Sequence, residues 1–299
     1  MLSKKSLGDS LAGYAFTLPL IIAMAAFLGY PIVKAAVMSF QYWYMPRPSP
    51  EGHYFNGVEN YVNVFKDVNF IHSLKITGIY IVVTVTARFF IGLIVAVLLN
   101  EKFKGRAAAR ALIIIPWAVP EVVTCLVWVL MYDKDFGIIN FLAQNMHLIS
   151  QPVQFLTNSS IALSSAMAVG IWKGFPFVAI MLLAGLQSIP TELYEAAKVD
   201  GANPVQQFFT ITWPLLAPVS LIVFLLLIIW TIRDFGIVFL LARGGPAQAT
   251  EILTIFIYHT SFKYFDFGKA SAAGMIMLIF SAIFTVIYLK VLNREDRQP

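Results

Sequence analysis

The chain has 299 residues, 59% hydrophobic and 12% charged, with a formal net charge of +5 and a mean hydropathy of +0.77. This balance departs from that of soluble domains toward apolar residues, and the basic excess gathers at the ends of apolar runs, where it sets membrane orientation rather than nucleic-acid affinity. Cys125 is the single cysteine and lies within an apolar run, so a disulfide framework and a cysteine-built metal site are both excluded.

Six long apolar runs predict one all-α integral membrane domain over 1–299, with six spans at about 11–33, 73–99, 111–131, 161–186, 214–241 and 270–292. Lys4 and Lys5 precede the first run. A signal peptide is its rival reading, since Ala23-Met24-Ala25 offers small residues, but the apolar part of a signal is ordinarily about 7–15 residues, and a retained helix is expected. The segment after it carries Pro46, Pro48, Pro50 and Gly52, which preclude a long helix at its start. Lys102, Lys104, Arg106 and Arg110 cluster after the second run, and the positive-inside rule places them in the cytoplasm. Both termini are then expected inside, in keeping with Lys290, Arg294 and Arg297 at the far end.

Five ionisable residues fall within the runs: Arg88, Glu121, Lys173, Arg233 and Asp234. Charge at that depth is costly, so each is expected to face a partner or a water-filled cavity. Pro116, Pro120 and Pro176 lie in the third and fourth runs, and broken helices there are tolerated where they line a cavity within protein.

Residues 187–213 form a polar island between two spans. Pro190 suits a helix start, and Asp200-Gly201 ends that helix at about Val199. Asn203-Pro204-Val205-Gln206 then reads as a fresh start, with Asn203 capping and Gln206 reaching back. Glu195, Ala196, Ala197 and Gly201, followed by Ile211 and Pro214, stand in an E-A-A-x-x-x-G…I-x-x-P pattern. This resembles the cytoplasmic loop of permease subunits from ATP-binding-cassette importers, with Trp213 where that family usually has Leu. Further pieces resemble the carbohydrate-uptake subfamily that includes the larger maltose-importer permease and the first glycerol-phosphate permease. They are Pro31-Ile32 with Ser39-Phe40, Gly57-Val58-Glu59-Asn60-Tyr61, Pro116-Trp117-Ala118-Val119-Pro120, Trp172-Lys173-Gly174-Phe175-Pro176-Phe177, and Gly244-Gly245-Pro246 with Thr250.

The resemblance implies that Glu195, Ala196, Ala197, Asp200 and Gly201 couple the chain to a cytoplasmic ATPase, with Glu195 pairing to a basic residue there. It implies that Gly170, Lys173, Gly174 and Phe177 on the fourth span, and Leu227, Thr231 and Asp234 on the fifth, line a sugar pocket near the middle of the membrane. Arg233 is a further candidate there, since Lys173 and Arg233 together suit a phosphorylated or acidic substrate. The implied assembly is a prokaryotic inner-membrane complex of this chain, a second homologous permease, two ATPase copies and an external sugar-binding protein that meets the 244–250 segment.

The sequence has no G-x-x-x-x-G-K-[ST] pattern, so ATP and Mg are expected on the partner ATPase, with no cofactor on this chain and no catalytic or metal site. Import of a di- or oligosaccharide by alternating access is the expected function. Glycerol phosphate is the alternative within the same machinery. An ion-coupled secondary transporter is the alternative from another class, and it leaves the Glu195 loop unexplained.

Overall fold

The computed structural model describes the backbone of residues 7–295 and the side chains of residues 16–290. Lys4, Lys5 and Arg297, with the side chain of Arg294, lie outside the described residues. The helices and strands, in chain order, are α1 Leu7–Met24, α2 Tyr30–Met38, β1 Gln41–Tyr42, β2 Tyr54–Phe55, α3 Glu59–Lys66, α4 Val68–Asn100, α5 Arg106–Ala118, α6 Glu121–Met131, α7 Ile138–Asn145, α8 Ala162–Gln187, α9 Thr191–Val199, α10 Pro204–Gln207, α11 Trp213–Ile232, α12 Gly236–Ala242, α13 Leu253–Tyr258 and α14 Phe267–Glu295. Among the described residues five helical stretches are long and apolar enough to cross a membrane, and six if the α5–α6 pair counts as one. The chain divides into two compact units: one takes in the chain up to Asp67 with Ile257–Ile276, the other Val68–Phe256 with the chain from Met277.

In the first unit α1 and α2 are joined through a π-type turn at Ala25–Gly29, and the apolar surface of this helix, Phe16 and Phe27 included, is exposed. The proline-rich segment makes no helix. It hangs between the antiparallel strands β1 and β2, which pair Gln41 with Phe55 and Tyr42 with Tyr54. Buried Asn60, in the 57–61 segment before the second span, ties that segment to the strand region: its Nδ2 donates to the carbonyls of Ser39 at 3.0 Å and Gln41 at 2.8 Å. The same strand region receives the turn before α14, where the amide of Phe267 donates to the Trp43 carbonyl at 3.0 Å and Lys269 pairs with Asp67 at 2.5 Å.

The second unit is built on α4, α8 and α11, whose facing residues Val85, Phe89, Leu182, Leu216 and Val223 are buried together. Gly92 sets the spacing of α4 and α8, because a Cβ there would lie 2.6 Å from Val178 and 3.1 Å from the Ala179 backbone nitrogen.

Two spans are broken, the third where its prolines allow it and the fifth without such a signal. The third turns by 92° between α5 and α6. Pro120 has no amide to donate to the Pro116 carbonyl, and Val119 is extended, so the helix ends and restarts. The fifth closes at Ile232 and restarts as α12, with the Asp234 carbonyl turned to accept from Thr254 Oγ1 at 2.7 Å. At its other end the same span begins early, since α10 runs through a π-type turn at Phe208–Thr212 directly into α11.

Candidate functional site

The polar island folds as helix, turn, helix. Pro190 precedes α9, and the chain leaves α9 through Gly201 at φ +78°, with the Ala202 amide returning to the Ala197 carbonyl at 2.9 Å. Asn203 and Gln206 form the expected capping box, each side chain bonded to the other's backbone amide at 2.9 Å. Tyr194 ties α9 to the base of α11 through Thr212, oxygen to oxygen 2.9 Å. Glu195, Ala196, Asp200 and Gly201 remain exposed and Ala197 is half-buried. A short helix tied at both ends therefore presents the exposed Glu195 carboxylate and small side chains to the surroundings.

The polar island shares one end of α8 with the basic loop before α5. With the Gln187 amide oriented to satisfy its neighbours, its oxygen accepts from Arg106 at 3.1 Å and Arg110 at 2.6 Å.

Deeper in the same unit, Arg88 is the centre of a buried network. Its Nε donates to the Gly170 carbonyl at 3.0 Å, its Nη1 to Thr231 Oγ1 at 3.2 Å, and its Nη2 faces Asp234 Oδ2 at 3.8 Å. Tyr80 donates its hydroxyl to the same Asp234 oxygen at 2.7 Å. Gly170 and Gly174, one helical turn apart on α8, give the guanidinium its space: a Cβ at Gly174 would come 2.6 Å from Arg88 Nε, and one at Gly170 would come 2.9 Å from Nη2. Of the residues expected to line a pocket, Gly170, Gly174, Thr231 and Asp234 are thus gathered around Arg88. Leu227 lies in the apolar core at 2% exposure.

Lys173 turns the other way, toward the α5–α6 bend, where its Nζ lies 2.6 Å from the Val119 carbonyl and 3.5 Å from those of Pro116 and Trp117. Glu121, at the start of α6, is packed against Gly236. Arg233 is exposed, with its Nε donating to the Ile229 carbonyl at 3.4 Å.

Phe177 joins an aromatic row. Its ring centroid is 6.3 Å from Trp117 on α5 and 4.8 Å from Trp230 on α11, and both tryptophans are about half exposed. Trp172 belongs to a different cluster, edge-on to Trp128 at 5.6 Å. Reasoning from sequence leaves out Tyr80 and Trp117 as site residues and leaves Arg88 without partners. The signal for Arg88 was present in two glycines four residues apart on a helix that must pack against a span carrying an arginine. Nothing in the residues around Tyr80 singles it out.

Apolar spans, one of them sharply broken, enclose a buried polar network and carry an exposed short helix at one end, an arrangement suited to a membrane transport protein. Residues 88–295 match the model of the binding-protein-dependent transport system inner membrane component, and the chain belongs to that family. Among its relatives are the trehalose/maltose transport system permease protein MalF of Thermococcus litoralis, 34% identical over 97% of this chain and 96% of that protein, and the sulfoquinovosyl glycerol transport system permease protein SmoG of Agrobacterium fabrum, 30% identical over 97% and 93%. A solved bacterial ABC transporter that imports the acidic polysaccharide alginate contains a chain with a TM-score of 0.79 and 25% identity, covering 97% of each. The chain is therefore a multi-pass membrane permease subunit of an ABC importer and a translocating component rather than an enzyme. An ion-coupled secondary transporter is set aside by that family membership.

Proposed function

We propose that this permease passes a di- or oligosaccharide across the membrane beside a second permease subunit, with ATP hydrolysed by two copies of a separate ATPase seated on α9 and the substrate delivered by an external binding protein. The observation that carries the substrate class is the aromatic row of Trp117, Phe177 and Trp230, whose open flat faces suit the apolar faces of sugar rings, beside Arg233 as an exposed hydrogen-bond donor. Thr231 and Asp234 complete the pocket as the resemblance has it, with Gly170, Gly174 and Leu227 shaping the helices behind it, while Lys173 is turned to the α5–α6 bend. The names of the relatives support carbohydrate over glycerol phosphate. The exposed Glu195 carboxylate is the contact that reads a basic residue of the ATPase. The shared end of α8, α9 and the Lys102–Arg110 loop is the cytoplasmic one by the positive-inside rule, which puts both termini inside.

ATP-driven uptake in vesicles containing the assembled transporter tests this reading. Phe177→Ala is expected to lower carbohydrate uptake while the ATPase stays bound, and Glu195→Ala to release the ATPase. Wild-type uptake that follows an ion gradient without ATP would overturn it.

A further inference from the structure

The α5–α6 bend takes the last carbonyls of α5 out of the helical i+4 pattern, and three of them, those of Pro116, Trp117 and Val119, face one side chain. In a continuous helix the Pro116 oxygen would accept from residue 120, the Trp117 oxygen from 121 and the Val119 oxygen from 123. Residue 120 is a proline, and the 92° turn swings Glu121 and Val123 away into α6. These oxygens also mark the negative end of the α5 dipole. Carbonyls released at the end of a broken membrane helix are a cation site in general, and ion-coupled transporters fill such sites with a free ion.

Here the chain brings its own cation. The half-buried Lys173 reaches across from α8, and its Nζ lies within 3.5 Å of all three oxygens, closest to Val119 at 2.6 Å. An ammonium has three donors, one for each carbonyl. Trp117 lies inside this bend, so whatever holds the carbonyls also holds its indole against Phe177.

We propose that Lys173 is a positioning residue, a tethered ammonium that occupies a carbonyl cation site at the α5–α6 bend and so holds Trp117 in the aromatic row; with the lysine side chain removed, the site accepts a small primary ammonium ion from solution. The importance of the row rests on the carbohydrate reading above, whereas the cation site stands on geometry alone. The inference parts from a role for Lys173 as a direct contact to an anionic sugar.

The test is chemical rescue in the assembled transporter, read in two ways. Hydrogen exchange of the peptide covering residues 115–124 reports the bend without any substrate, and ATP-driven uptake of a neutral and of an acidic oligosaccharide reports the row. Lys173→Ala is expected to speed exchange there by about tenfold or more, the loss of a charge-assisted hydrogen bond, and to slow uptake of both sugars. Propylammonium is expected to reverse both effects, while propanol, of equal length without charge, and tetramethylammonium, charged without N–H, reverse neither. Lys173→Met, which keeps the apolar stem, serves if the alanine variant fails to assemble, and its exchange should rise in the same peptide. Unchanged exchange, equal rescue by propanol, or loss confined to the acidic sugar would each overturn the inference. If wild type takes up neither sugar while the exchange and its rescue behave as described, the carbohydrate reading fails and the cation site stands.

Discussion

Arg88 occupies the space that a side chain at Gly174 would need, its Nε 2.6 Å from where a Cβ would be. Glycine in a helix interior ordinarily costs about 1 kcal/mol against alanine, so Gly174→Ala would stabilise an unencumbered helix. Here it drives a methyl group into a guanidinium already fixed by the Gly170 carbonyl and Thr231. The expected outcome is a net loss of about 1–3 kcal/mol, seen as a lower melting temperature of the purified complex. Gly170→Ala is milder, because its nearest neighbours are the Nη2 tip and the Tyr80 hydroxyl at 2.9 and 3.2 Å.

The Arg88–Asp234 pair calls for a double-mutant cycle. Arg88 is 7% exposed and Asp234 shares its Oδ2 between Arg88 and Tyr80. Arg88→Met leaves the carboxylate with the Tyr80 hydroxyl and the Phe235 amide but without its facing guanidinium, at about 3–5 kcal/mol. Arg88→Met with Asp234→Asn removes both charges and is expected to cost less than the sum of the single changes. Additive losses in denaturation of the complex would show that the two charges act separately.

What the sequence discloses here is local, and what it hides is pairwise. The turn at Gly201, the capping box of Asn203 and Gln206, and the polar island as a mounted helix all follow from neighbours in the chain. The 92° bend was signalled by Pro116 and Pro120, yet an apolar run shows only that a span exists, not that it folds back on itself. Arg88 could be seen to require a partner, but Tyr80, Thr231 and Asp234 reach it from positions up to 154 residues from one another, and periodicity carries no such information. Lys173 shows the same limit. Its neighbours within Trp172-Lys173-Gly174 resemble a sugar-lining motif, while its closest polar contact is a carbonyl 54 residues earlier.

The α9 loop separates a backbone effect from a docking effect. A Cβ at Gly201 meets nothing within 4 Å, so a substitution there pays only for φ +78°. Gly201→Val is expected to lose about 1–2 kcal/mol of local stability, with α9 exchanging its amides faster and the ATPase binding less well. Gly201→Asn, which tolerates that conformation, should keep both. Glu195→Ala should weaken ATPase binding with the exchange of α9 unchanged, since its carboxylate is exposed. A valine variant that binds the ATPase as wild type does would sink the claim that the turn aims the helix.

Asp266 gives the first unit a pH dependence. It sits outside the spans, in the turn that receives the β1 region, where Tyr44 and Asp266 are bridged through their backbones. Burial pushes its carboxyl above the usual aspartate range, more than the Lys269 amide at 3.0 Å and the Lys269 ammonium, itself paired with Asp67, bring it down. A raised value means the folded form holds the proton more tightly than the unfolded one. The stabilising contribution is therefore complete below the ordinary aspartate value, about 3.9, and is lost as pH rises through the raised one. Limited proteolysis of the proline-rich segment is expected to speed up across that window. Asp266→Asn removes the titrating group, keeps an acceptor for the Lys269 amide and should flatten the dependence; a pH profile identical to wild type would place its origin elsewhere.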